Sequence, residues 1–168
     1  IGGTPYAGST RLLPIASGYA SNIFNGSIVS IVAAGTVEMV TVTGNGGGGA
    51  AASFPAGTIG VFVGCTYTDP NLGTVVFRNN WPTGTVASDA QAYIVDDPDV
   101  IFMAQADAAV TQADLGQNTH LAAVQSTTTG DTTNGNSNTA VDATTATTNT
   151  FAFRIVDFVD SPTSTVGD

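Results

Sequence analysis

Helix formers are nearly missing from this chain. It has no lysine, a single glutamate (Glu38) and few leucines, whereas Thr, Val, Gly, Ala and Asn dominate its 168 residues. Thr and Val are branched at Cβ, stiff about χ1 and suited to a pleated strand; Gly and Asn supply the turns between strands. The composition predicts an all-β protein with little helix. A chain of this length is enough for one domain with a real core.

Local pattern divides it further. "SIVSIV" (27–32) and "TVEMVTV" (36–42), separated by "AAG", read as a hairpin. "TIGVFVGCTY" (58–67) is the strongest strand signal. Simple alternation places Val61, Val63, Cys65 and Tyr67 on one face and Gly60, Phe62 and Gly64 on the other, where two glycines permit close approach of another chain or sheet. "TVVFR" (74–78), "AQAYIV" (90–95), "DVIFMAQA" (99–106) and "FAFRIVDFV" (151–159) complete the set, the last with Phe151, Phe153 and Ile155 on one face. Short strands with turns about every ten residues predict a sandwich or a small antiparallel barrel.

Residues 1–27 carry turn punctuation and little periodicity, so they are expected as an extended N-terminal arm, with 28–168 as a single β-rich domain. "GNGGGGAAASFPAG" (44–57) reads as a flexible loop; it lacks the Lys-Ser/Thr ending of a phosphate loop. "TQADLGQ" (111–117) suits one helical turn ending at Gly116. The Thr/Asn-rich stretch 126–150 is either a disordered loop or an exposed hairpin around Asn134-Gly135. The chain starts at Ile1 and stops in a turn-like tail, so either it is processed or these are not the gene's ends. No charged-then-apolar leader is present, as expected if a signal peptide is absent or already removed.

Thirteen acidic residues face three arginines (Arg11, Arg78, Arg154), a net charge of -10. Nucleic-acid binding needs clustered cations against phosphate, and anionic membrane surfaces attract the same cations, so both partners are disfavoured. No apolar run approaches the ~20 residues of a membrane helix. Strong like charge keeps identical copies apart before assembly and steers them toward a basic partner.

Few residues suggest chemistry. One cysteine, Cys65, excludes an internal disulfide framework, and its apolar surroundings suit a buried, inert thiol. His120 is the single histidine. No nucleophile-elbow sequence supports a Ser-His-Asp triad around it, and a zinc site needs more His or Cys. Asp96, Asp97 and Asp99 in "DDPD" are the one carboxylate cluster, a calcium candidate because hard cations take several oxygens. They lack the spacing of a helix-loop-helix calcium loop, and a solvated Asp-Pro turn joining two strands accounts for them without a ligand. Asp107, Asp114 and Asp157 are the remaining candidates for paired-carboxylate hydrolysis, and nothing in the sequence singles out a pair. Asp157 sits among apolar residues, where a bulge turning it outward is expected. Asn25-Gly26-Ser27 matches a glycosylation sequon and reads better as a turn. Trp81 in "NNWPTG" is either an exposed contact anchor or a cap on its own barrel end. No catalytic residue and no cofactor are expected.

Four stretches resemble virion structural proteins of tailed bacteriophages, in particular capsid decoration (cement) proteins of phages from marine environments. They are "LPIASGYASNIFNGSIVSIVAAGTVE" (13–38), "GVFVGCTYTDPNLGTVVFRNNWPTGT" (60–85), "AYIVDDPDVIFMAQAD" (92–107) and "FRIVDFVDSP" (153–162). The resemblance covers roughly half the chain, through dispersed segments. It implies a small β-tulip-like domain, present in many copies on the capsid surface of the virion, that binds the major capsid protein where its subunits meet. Many such proteins are homo-oligomers, often trimers. The family is defined by assembly, so no catalytic residue carries over. On this reading Arg11, Leu12 and Leu13 of the arm are candidate anchors on a neighbouring subunit. A carbohydrate- or host-binding module of a phage tail or cell surface is the alternative, favoured if Trp81 or Tyr93 lies exposed over a groove. A hydrolase using paired Asp residues is the third.

Overall fold

The structure, a computed structural model, describes residues 8–40, 54, 56–122, 130–147 and 151–159. The protein is all-β. The strands are β1 (Arg11–Pro14), β2 (Ile28–Ile31), β3 (Val37–Met39), β4 (Thr58–Thr68), β5 (Val75–Arg78), β6 (Gln91–Val95), β7 (Asn118–Thr119) and β8 (Phe153–Arg154). Among the described residues the one helical piece is a single turn, Gln112–Asp114, followed by Gly116 at φ 82° as expected. No described helix is long and apolar enough to cross a membrane.

The chain forms two compact units, each assembled from separated segments. The first comprises Ile1–Thr41, Pro55–Ile101 and Gln125–Asn138; the second comprises Val42–Phe54, Phe102–Val124 and Thr139–Asp168. Residues expected as one domain over 28–168 are thus shared between the two.

The first unit is a six-stranded antiparallel sheet in the order β1-β6-β4-β2-β3, with β5 pairing the far end of β4. The predicted β2–β3 hairpin is present, with Val29 opposite Met39. Ile15, just past β1, makes one parallel bridge to Val37 of β3. The two end strands therefore meet at a single residue pair, without a ladder, and the sheet curls without closing into a barrel. Its inner face holds Ile15, Ile23, Val29, Val37, Phe62, Cys65, Tyr67, Trp81 and Ile94 in one buried cluster. Burying each large side chain of this set contributes about 1.5–3 kcal/mol.

A bulge in β4 overturns the simple alternation. The register to β6 shifts between Phe62 and Gly64, where Gly64 takes φ 140°. Phe62 before the bulge and Cys65 and Tyr67 after it all reach the core, whereas alternation put Phe62 on the opposite face. The two glycines do serve close approach. A Cβ on Gly60 would strike the Val95 carbonyl of β6, and one on Gly64 would meet the Phe77 ring.

The extended arm expected over 1–27 is corrected for residues 8–27; residues 1–7 lie outside the described residues. β1 pairs with β6 along its whole length, Arg11 opposite Ile94 and Leu12 opposite Tyr93. Ile23 and Phe24 have no exposed surface. Turn residues such as Gly18 and Gly26 hide the periodicity here, yet the apolar residues between them supply part of the core. Expected strand 99–106 is also absent: Ile101, Phe102 and Met103 are exposed and unpaired in any described ladder. A strand needs a neighbour for its N–H and C=O groups, and local pattern does not reveal whether one exists.

In the second unit β7 pairs with β8, and single bridges join Ala106 and Leu121 to Val141 and Asn118 to Ala146. Phe151, Phe153 and Ile155 share a half-buried face, as their alternation predicts. The glycine loop 44–57 lies almost wholly outside the described residues. Of 126–150, the part 130–147 is described. Gly135 at φ 79° belongs to a tight turn in which Gly130 makes a single antiparallel bridge to Ser137, with no strand on either side among the described residues.

Candidate functional site

The "DDPD" segment ends β6 as a self-satisfied turn. The Asp97 carboxylate accepts the Asp99 N–H at 2.9 Å, and the Asp97 carbonyl accepts from the Val100 N–H. Asp96 faces the other way and pairs with Arg11 at 2.7 Å, tying the end of β6 to the start of β1. The three carboxylates are not gathered around one point. Among the described residues no group of three His, Cys, Asp or Glu is placed to hold a metal ion. The Asp-Pro turn expected here is present, although no strand follows it among the described residues.

Trp81 is a core residue and no contact anchor. It has no exposed surface, its Nε1–H donates to the Tyr19 carbonyl at 3.3 Å, and its ring meets Tyr67 edge-on at 5.3 Å. Its backbone exchanges two hydrogen bonds with Ile23. Of its two expected roles, capping its own core is the one the structure supports. Asn25-Gly26-Ser27 is a turn, with Ser27 buried and its hydroxyl accepting from the Phe24 N–H.

His120 is buried at 1% exposure, stacked on Phe151 with centroids 4.6 Å apart. Its Nε2 lies 3.8 Å from Asp142, and neither ring nitrogen has a hydrogen-bond partner among the described residues. Among the described residues no hydroxyl bonds to the ring as a nucleophile would. Asp107 accepts from the Ala143 N–H, Asp114 from Thr111 and Thr145, and Asp157 is exposed and accepts from the Phe158 N–H. Each of these carboxylates accepts at least one hydrogen bond. Cys65 is buried; burial pushes its thiol up to about 12, against a smaller opposing pull from Arg78, so it stays protonated.

Two further surface features lie in the first unit. One is an open cleft of about 530 Å³ lined by Tyr67, Asp69, Asn71, Arg78, Thr83 and Val86, among others. Arg78 reaches Asp69 at 3.6 Å there, while the Asn71 and Leu72 N–H groups donate to the same carboxylate and hold it below the usual range. The other is the outer face of the curled sheet. Register places Leu12 beside Tyr93, Tyr93 beside Gly64, Thr66 beside Phe77 and Thr68 beside Val75. The result is an apolar stripe across β1, β6, β4 and β5. Leu12 is 52% exposed, Phe77 59% and Val75 71%, and the rings of Phe77 and Tyr93 meet edge-on at 5.8 Å. Of the arm residues proposed as anchors, Leu12 lies on this stripe, Leu13 packs inward on the core and Arg11 is engaged by Asp96. Val75 and Phe77 were not anticipated; their alternation with Val76 was the available signal, and which of the two faces is exposed was not.

No family model, curated protein or solved structure matches the chain.

Proposed function

We propose that this chain is a viral capsid decoration protein, which binds the outer surface of a phage head and stabilises contacts between major capsid subunits. The observation that carries the reading is the apolar stripe Leu12–Tyr93–Phe77–Val75 on the outer face of a sheet in a chain of net charge -10. A protein that remains dispersed by like charge and then buries an apolar sheet face against a shell has the properties this role requires. The dispersed sequence resemblance points to the same class. No catalytic group and no cofactor enter the reading, and assembly as a homo-oligomer, a trimer in many such proteins, belongs to it.

The test is copy number. Quantitative mass spectrometry of purified particles gives the ratio of this chain to the major capsid subunit. A ratio of order one, or a simple fraction of it, supports shell decoration. Absence from particles overturns the proposal.

A second reading, a carbohydrate- or host-binding module, is favoured by the open cleft, where Asp69, Asn71 and Arg78 present both donors and acceptors. A handful of copies per particle, together with glycan binding lost in Arg78→Ala, would favour it over decoration.

A further inference from the structure

We infer that the free edge of β5, with the apolar stripe beside it, takes an extended basic segment of a partner protein that adds a strand to the six-stranded sheet. The inference rests on the reading of the chain as a decoration protein and names the kind of partner segment it would meet.

Among the described residues β5 is the least protected edge of the sheet. Among the described residues it pairs with β4 alone. Folded proteins blunt such edges with lysine, proline, a bulge or a covering segment. The edge of β1 ends in Pro14, and its Arg11 is engaged by Asp96. β3 carries Glu38 and is touched by Ile15 through Val37. β5 reads Val-Val-Phe-Arg, with no proline, no lysine and no register shift, and its one charge is directed at Asp69.

The side chains suit an added strand. Val75 and Phe77 stand on the outer face at 71% and 59% exposure, while Val76 packs inward. An incoming strand places its alternate residues opposite these two. Aromatic and β-branched cross-strand pairs are the kind that stabilise such additions, with main-chain hydrogen bonds supplying the rest.

Charge selects the occupant. The first unit carries seven acidic residues against two arginines, a net charge of -5. Both arginines are paired with aspartates. Asp89, which accepts from the Thr68 hydroxyl and N–H, stands beside the strand position opposite Val75. A second copy of this chain would set like charge against like. A segment alternating apolar residues with Lys or Arg meets both the stripe and the carboxylates.

The probe is a short blocked peptide alternating Lys and Val, with its Glu/Val counterpart as control, titrated into the full-length isotope-labelled chain. The expected result is amide shifts centred on Val75–Arg78 and Tyr93, with the Lys/Val peptide at least about tenfold tighter than the Glu/Val peptide. Phe77→Thr should weaken it about tenfold, with unchanged core signals from Phe62 and Trp81 showing that the variant is folded. Shifts scattered over the acidic surface, or unaltered binding by Phe77→Thr, overturn the inference. So does a dimer in sedimentation that Phe77→Thr abolishes, because a second copy then occupies the edge. The two readings fail separately. Absence of the chain from particles removes the decoration reading and leaves the peptide result standing. Incorporation into particles with peptide binding indifferent to Phe77→Thr removes the edge inference alone.

Discussion

The ring of Phe77 lies across Gly64, so close that a Cβ on that glycine would sit 2.6 Å from Phe77 Cζ and 3.1 Å from the Arg78 carbonyl oxygen. The β4 bulge and the outer stripe are therefore one feature: the missing side chain at the bulge is what lets the ring lie down beside Tyr93. Gly64→Ala meets both the ring and a backbone at φ 140°, a region L-residues rarely adopt. The expected loss is about 1–3 kcal/mol. Phe77→Ala in the same chain should restore only the share due to the ring, leaving the backbone share. A double-mutant cycle by urea unfolding separates the two.

Trp81 is the one tryptophan and reports directly on its site. With no exposed surface, its emission should be blue-shifted and resist acrylamide quenching until the protein unfolds. Trp81→Phe loses the indole N–H bond to Tyr19 and part of the core volume, at an expected cost of about 1–3 kcal/mol. Red-shifted, readily quenched emission in the native state would return Trp81 to the surface.

His120 and Asp142 are buried neighbours whose contact at 3.8 Å falls short of a hydrogen bond. His120→Phe keeps the stack on Phe151 and gives up no hydrogen bond among the described residues, so it should cost within about 1 kcal/mol. Asp142→Ala removes the acceptor for the Thr144 N–H and should cost about 1–3 kcal/mol. Amide exchange at Thr119 and Thr144 reads the difference. A loss from His120→Phe as large as that from Asp142→Ala would mean that the ring contributes more than its stack on Phe151.

The Cys65 thiol, pushed up to about 12 by burial, should not react with a thiol reagent at pH 8 in the native protein. Reaction should appear only as urea unfolds the chain. Fast native-state labelling would contradict its place in the core.

Three carboxylates are held below their ordinary value of 3.8: Asp89 by the Thr68 hydroxyl, Asp114 by the Thr145 hydroxyl and Asp69 by the Asn71 N–H. Each prefers its charged form in the folded state, so the native protein binds fewer protons than the unfolded chain in that range. Their contribution is complete above the unfolded value and is lost as pH falls through the depressed values. The urea midpoint should therefore hold steady down to about pH 5 and fall below about pH 4. Asp89→Asn should lower stability at pH 7 and make the acid fall shallower. An unchanged acid profile in that variant would remove Asp89 from the account.

Composition and local pattern were enough for the all-β class, for β2 through β6 apart from their exact ends, for the helical turn before Gly116 and for the Asn134-Gly135 turn. Each of these depends on residues within a few positions of one another: branching at Cβ, alternation, or a glycine where φ must be positive. They were not enough for the rest. Residues 8–27 look like an arm because Gly18 and Gly26 interrupt them, yet Ile23 and Phe24 are among the most buried side chains. Residues 99–106 look like a strand, yet no described strand lies alongside. The bulge at Phe62–Gly64 reverses which side of β4 faces the core, and only pairing with β6 sets it. The stripe behaves the same way, because Leu12, Tyr93 and Phe77 lie far apart in the chain and become neighbours only through the order β1-β6-β4-β5. Whether an apolar residue ends inside or outside depends on what the chain brings to it from far away, and that information is carried by the register of the sheet.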